Sequence, residues 1–218
     1  KKSGADAVKF QNFTADNLTT RNAKKAPYQI KNTKNNKSQY LMLKDLELKR
    51  DHYFILKKFC KKIKIDFISS VFDSESIDFL SKKLKINKIK IPSGELTNPL
   101  ILNKLSIKNY KILLSTGMGN MKEIIDAINI ISKSNIYKYD KNKVKILNHK
   151  KLNKIRNKLV VLHCVTDYPV EDKYANLKCI ENLSKNLQIN IGYSDHTKGT
   201  IAPVIAASKG ARIIEKHF

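Results

Sequence analysis

Short β-branched runs alternate with amphipathic stretches along the whole chain, and this rhythm constrains the fold more than any other feature. The runs are Ala7-Val8-Lys9-Phe10, Ile65-Asp66-Phe67-Ile68-Ser69-Ser70, Lys88-Ile89-Lys90-Ile91, Lys111-Ile112-Leu113-Leu114, Leu159-Val160-Val161-Leu162-His163, Asn190-Ile191-Gly192-Tyr193 and Arg212-Ile213-Ile214-Glu215. Each has the length and composition of a short buried strand. Helical spacing is read between them, beginning at 39–43 and over 51–62, 74–80, 121–131, 177–187 and 201–209. Asp51 is the expected N-cap of the second of these, and Gly210 the expected stop of the last. Strand and helix in alternation predict parallel βαβ units with right-handed crossovers. Seven strands of one kind favour a barrel over an open doubly wound sheet, and no GxGxxG follows the first strand. The expected fold class is therefore α/β, an incomplete (β/α)8 TIM barrel, with residues 1–218 forming one partial barrel domain.

Two stretches break the rhythm. Residues 12–36 are polar and predict a long loop with a short helix. Residues 132–158 are rich in Lys and Asn, with Asp140 the lone acid, and predict a basic surface insertion, either a mobile solvated loop or a short helix. The formal net charge of +24 raises a nucleic-acid reading. The basic residues are nearly all lysine, however, with arginine only at Arg21, Arg50, Arg156 and Arg212. Lys, Asn and Ile rise together, as an AT-rich coding sequence would make them, so the expectation is no nucleic-acid partner. No apolar run approaches the ~20 residues of a membrane span. No apolar segment follows Lys1-Lys2-Ser3-Gly4, so neither membrane nor signal peptide is expected. Cys60, Cys164 and Cys179 are odd in number and form no CxxC pair, which suits a reducing cytoplasm.

The strand ends carry the chemistry, as barrel strands do at their C-terminal edge. Lys9 and Lys90 lie within strands, where a cation is costly unless it meets an anion. Ser93, Ser115 and Ser194 follow three strands and, with nearby backbone amides, suit a phosphate or carboxylate cradle. His196 and His217 end adjacent strands, so their side chains are expected to converge, either as ligands of a borderline divalent cation, Mn²⁺ or Mg²⁺, or as buried hydrogen-bonded histidines. His52 and His149 read as surface residues, His163 as part of the wall, and Cys164 has no base to make it a nucleophile.

Taken in order, these strand ends resemble one family. The motifs are Ala5-Asp6-Ala7-Val8-Lys9-Phe10-Gln11, Phe67-Ile68-Ser69-Ser70-Val71-Phe72-Asp73, Lys90-Ile91-Pro92-Ser93-Gly94-Glu95 and Leu114-Ser115-Thr116-Gly117-Met118. His163-Cys164 through Tyr168-Pro169, Gly192-Tyr193-Ser194-Asp195-His196-Thr197 and Glu215-Lys216-His217-Phe218 complete the set. The set is similar to that of the sialic acid synthases, N-acetylneuraminate synthase and its legionaminate and pseudaminate relatives. Tyr28-Gln29 and Ser38-Gln39-Tyr40-Leu41-Met42-Leu43 resemble the neuraminate and legionaminate branch.

The resemblance implies condensation of phosphoenolpyruvate with an N-acetylated hexosamine, such as N-acetylmannosamine or a 2,4-diacetamido sugar, giving a nine-carbon 2-keto acid and phosphate. It implies that Lys9, Lys90, Ser93, Ser115 and Ser194 hold phosphoenolpyruvate, with Ser70 nearby, and that His196 and His217 bind the metal. Glu95 and Tyr168 would bind the sugar, with Glu95 also the general acid/base; Thr166 stands where some members have Asn. By the same resemblance the chain reads as strands two to eight of the barrel, without a leading Glu-Ile-Gly-x-Asn-His motif and without a C-terminal antifreeze-like domain. Low activity for this stretch by itself, and a homodimer for a full-length protein, are the corresponding expectations. Another phosphoenolpyruvate-condensing synthase on the same barrel, or a basic nucleic-acid-binding protein, are the alternatives.

Overall fold

The computed structural model describes residues 1–217; Phe218, which ends the last motif, lies outside the described residues. The chain divides into two compact units, Lys1–Lys90 and Ile91–Phe218.

In the first unit, β1 (Ala7–Asn12), β2 (Asp66–Val71) and β3 (Lys88–Ile91, whose last residue opens the second unit) pair in that order, all parallel. Pairing of Gln11 with Ser70 and of Ser70 with Lys90 sets the faces. Lys9, Gln11, Ser70 and Lys90 share one side, because side chains alternate along a strand. Phe10 and Phe67 stack on the other, ring centroids 5.2 Å apart. The helices are α1 (Ala15–Leu18), α2 (Pro27–Thr33), α3 (Gln39–Asp45), α4 (Arg50–Lys62) and α5 (Ser74–Asp78). The polar stretch 12–36 thus holds two short helices where one was expected, the second entered through Pro27, which pre-sets a helical φ. α4 starts earlier than expected: Lys49 is the capping residue, and Asp51 sits inside the first turn, where its charge suits the helix dipole. α5 is capped by Asp73, which accepts from Ser76 N at 2.6 Å, and runs into a π-helical turn over Phe79–Lys83. Tyr53 of α4 is fully buried and donates to the Gln11 carbonyl at 2.6 Å, tying helix to strand.

In the second unit, β4 (Lys111–Ser115), β7 (Leu159–His163), β8 (Asn190–Asp195) and β9 (Ile214–Lys216) pair in that order, all parallel, and β5 (Tyr137–Asp140) with β6 (Lys143–Ile146) forms an antiparallel hairpin. The helices are α6 (Pro99–Lys104), α7 (Met121–Ser132), α8 (His149–Ile155), α9 (Lys178–Leu187) and α10 (Ile201–Ser208). Asn120 and Glu123 form a capping box on α7, and its Ile124, Ile125, Ile128 and Ile131 are buried. Gly210, at φ +93°, follows α10 in the left-handed region, as expected of a helix stop.

The stretch 132–158 is built, not loose. Ile136, Tyr137, Leu152 and Ile155 supply a buried side among the lysines. Tyr137 donates to the Leu187 carbonyl at 2.6 Å, and Asn129 Oδ1 accepts from Ile136 N and Tyr137 N. The short helix offered for this stretch corresponds to α8, and four apolar side chains spaced among polar ones anchor both it and the hairpin. Among the described residues no helix is long and apolar enough to cross a membrane.

Candidate active site

In the first unit, Ser70 and Lys90 sit side by side across β2 and β3, both buried, with relative exposures of 1% and 4%. Lys9 is half-buried on the same face. An ammonium and a hydroxyl held out of bulk water are the groups that anion recognition requires.

In the second unit, parallel register decides which residues meet. Ser194 pairs with Glu215, and Asp195 with Lys216. Ser194 and Glu215 therefore share one face, and Asp195 and Lys216 the other. Ser194 Oγ donates to Glu215 Oε1 at 2.8 Å and lies 3.3 Å from His196 Nε2. His217 Nε2 lies 3.4 Å from the same Glu215 oxygen. The two imidazole rings stand 4.8 Å apart at 73°, as the two strand-end histidines were expected to converge. Tyr168 stacks on His196 at 3.9 Å and meets His217 edge-on at 5.6 Å. Glu215 is the residue that sequence reasoning missed; its position two before His217, on the same strand face, is the signal that would have found it.

The loops are tied to one another. His196 Nδ1 donates to the Val165 carbonyl, and Val170 N donates to the His196 carbonyl at 3.0 Å. A carbonyl only accepts, so Nδ1 carries the proton, and a neutral ring keeps its lone pair on Nε2. That is the tautomer a ligating imidazole needs, oriented by a backbone partner. Among the described residues no three His, Cys, Asp or Glu side chains are grouped to hold a metal. The imidazoles of His196 and His217 are the donors that a borderline divalent cation would meet here.

Asp195 is fully buried, and Lys216 donates to its Oδ2 at 2.5 Å. Burial pushes its carboxyl up, but the hydrogen bonds from Lys216 and Thr197 outweigh it and hold the group below the usual carboxylate range. His163 faces away from the imidazole pair, 2.8 Å from the Ala175 carbonyl, and burial lowers its pKa. Tyr193 is raised by burial first and then by the charge of Asp195.

A second group gathers around Gly117. A Cβ there would come within 2.8 Å of Thr166 Cγ2, 2.9 Å of Cys164 Sγ and 3.2 Å of Ser93 Oγ, so only glycine lets these side chains close up. Ser115, two residues earlier, is 2% exposed, and its hydroxyl is the one buried side-chain polar atom among the described residues with no hydrogen-bond partner. Leaving such a group unpaired costs roughly 1–3 kcal/mol, which a bound acceptor would recover. Glu95 lies on a single 3₁₀ turn, Ser93–Glu95, where Asn98 Nδ2 donates to its carboxylate at 2.7 Å.

The NeuB family matches residues 1–218. The chain is 39% identical over its whole length to N,N'-diacetyllegionaminic acid synthase of Legionella pneumophila, covering 56% of that protein. It is 43% identical over 216 residues, 99% of the chain, to the Campylobacter jejuni enzyme of the same name, covering 59% of it. The chain thus spans little more than half the length of these relatives. Among solved structures, N-acetylneuraminic acid synthetase from Leptospira borgpetersenii aligns over the whole chain and 64% of its own, with a TM-score of 0.77 at 27% identity. That likeness bears out the α/β barrel class expected from the strand-helix rhythm.

Proposed function

The chain belongs to the NeuB family, and from that premise we propose that the protein condenses phosphoenolpyruvate with an N-acetylated hexosamine to give a nine-carbon sialic-acid-type 2-keto acid. The observation that carries this reading is the convergence of His196, His217 and Tyr168 beside the Ser194–Glu215 hydrogen bond, at the C-terminal ends of parallel strands. In the bond-forming step, C3 of phosphoenolpyruvate attacks the sugar's aldehyde carbon. Water then adds at C2, and the tetrahedral adduct expels phosphate.

Each group has a role that its setting supports. Lys9 and Lys90 take the anionic groups of phosphoenolpyruvate, with the Ser70 hydroxyl beside Lys90. In the second unit, Ser93 and Ser115 offer hydroxyl hydrogens suited to an anionic ligand, and Ser115 lacks any competing partner. Ser194 must give up its bond to Glu215 to do likewise. When bound, a divalent cation on His196 and His217 supplies Lewis-acid polarisation of the sugar aldehyde. Tyr168 and Thr166 line the sugar, and Glu95 transfers the proton that the aldehyde oxygen gains. Names among the relatives favour a 2,4-diacetamido hexose as acceptor.

The test is phosphate release from phosphoenolpyruvate by the protein with Mn²⁺, offered N-acetylmannosamine and 2,4-diacetamido hexoses in parallel. Release that depends on both sugar and metal is expected. No release with any N-acetylated hexosamine would reject the reading.

A further inference from the structure

β8 and β9 present the Ser194–Glu215 pair on one face and the Asp195–Lys216 pair on the other. The Lys216 ammonium has three hydrogens and three acceptors: Asp195 Oδ2 at 2.5 Å, the Thr197 carbonyl, and the Gly199 carbonyl at 2.8 Å. Asp195 Oδ1 in turn accepts from Thr197 N at 2.9 Å and Thr197 Oγ1 at 2.8 Å. One lysine at the end of β9 therefore holds the whole turn that follows β8. His196 lies inside that turn, between the two residues it binds, and His217 follows the lysine directly.

An ion pair with its carboxylate buried and its ammonium in contact with solvent adds little net stability, since desolvation of Asp195 and screening at Lys216 offset most of the attraction. What it supplies here is geometry. If the turn after β8 slid relative to β9, the two rings would part, and no imidazole–imidazole bond would resist this. We propose that Asp195 and Lys216 are positioning residues that hold His196 and His217 at one fixed separation for a shared divalent cation. They act from the face opposite the imidazoles, so they touch neither cation nor substrate. The inference rests on reading the two histidines as cation ligands.

The experiment is a titration of the protein with Mn²⁺ alone, following the free-ion signal by electron paramagnetic resonance. The variants are Asp195→Asn, Lys216→Met, the double variant, Thr197→Val and His217→Ala, each first checked for native circular dichroism. Outer residues that orient metal ligands typically affect affinity about 10–100-fold, and that loss is expected of Asp195→Asn and Lys216→Met. The double variant is expected to bind no more weakly than the worse single one, because both changes open one clamp. Thr197→Val keeps the ion pair and drops one hydrogen bond worth about 1 kcal/mol, so it stays testable even if a charge change unfolds the protein, and about a fivefold loss is expected. Wild-type affinity in the folded Asp195, Lys216 and Thr197 variants, with affinity lost in His217→Ala, overturns the positioning role and leaves the ligand reading standing. Unchanged affinity in His217→Ala removes the ligand reading, and the clamp with it.

Discussion

The imidazole rings of His196 and His217 stand 4.8 Å apart at 73°, held on the ends of neighbouring parallel strands. At that separation both can turn a nitrogen toward one ion, and neither can be replaced by the other. His196→Ala and His217→Ala are each expected to lower metal-dependent phosphate release at least about 100-fold, that is, to cost roughly 2.7 kcal/mol of transition-state stabilisation. On the proposed reading both act through one ion, so the double variant should be little worse than either. Initial rates over a range of Mn²⁺ concentrations check this. Retained metal dependence in His217→Ala would remove it from the ligand set.

Ser115 predicts an unusual combination. Its buried hydroxyl has no partner within the protein, so the folded state bears a desolvation cost of roughly 1–3 kcal/mol. Ser115→Ala removes that cost at the expense of one small void. The variant is expected to unfold at an equal or higher urea concentration, while the KM for phosphoenolpyruvate rises about tenfold. A hydroxyl with a structural role would lower stability instead.

The imidazole pair and the strand-borne lysines are legible in the sequence because their places at or near strand ends can be counted. Lys9 and Lys90 are visible as cations within strands, though the register through Ser70 is what puts them on one face, and His196 and His217 end strands that are neighbours in a parallel order. Glu215 and the Asp195–Lys216 pair are not legible in that way. Which acid faces which hydroxyl or ammonium depends on the β8–β9 register, and a shift by one residue would exchange the two faces. The hairpin of β5 and β6 is hidden for a different reason. Its strands are only four residues long, and Lys138 lies opposite Lys145, a like-charge pair that no propensity argument favours. Its stability comes from Tyr137 and Ile136, whose burial depends on tertiary packing.

His163 makes stability depend on pH. Burial holds its folded pKa below the ordinary value of 6.5, and the hydrogen bond to Ala175 only partly offsets this. The unfolded chain therefore binds a proton at a pH where the folded chain still refuses it. The contribution is fully present above the ordinary histidine range and is lost as pH falls through the folded value. The urea midpoint should drop between about pH 7.5 and about pH 5.5. In His163→Gln, whose amide can still donate to Ala175, the drop should be smaller. An identical drop in both proteins would assign the pH dependence to other groups.

Gly192 offers the sharpest test of how closely the strands approach. A Cβ at this position would lie 2.5 Å from Leu162 Cδ2 and 2.6 Å from the Ile213 carbonyl oxygen. The leucine can rotate, but the carbonyl is backbone and accepts from Tyr193 N at 2.8 Å. Relief therefore requires the segment entering β9 to move outward, and β9 carries Glu215 and leads directly into His217. Overpacking of this kind costs roughly 1–3 kcal/mol. Gly192→Ala is expected to lower the unfolding midpoint accordingly and to weaken Mn²⁺ binding in the fraction that remains folded. Gly94→Ala, where an added Cβ meets nothing within 4 Å, serves as the matched control for stability and should leave the midpoint nearly unchanged. Equal midpoints in the two variants would show that the strands can separate at Gly192 without cost, and would remove the close β8–β9 approach as the reason for a glycine there.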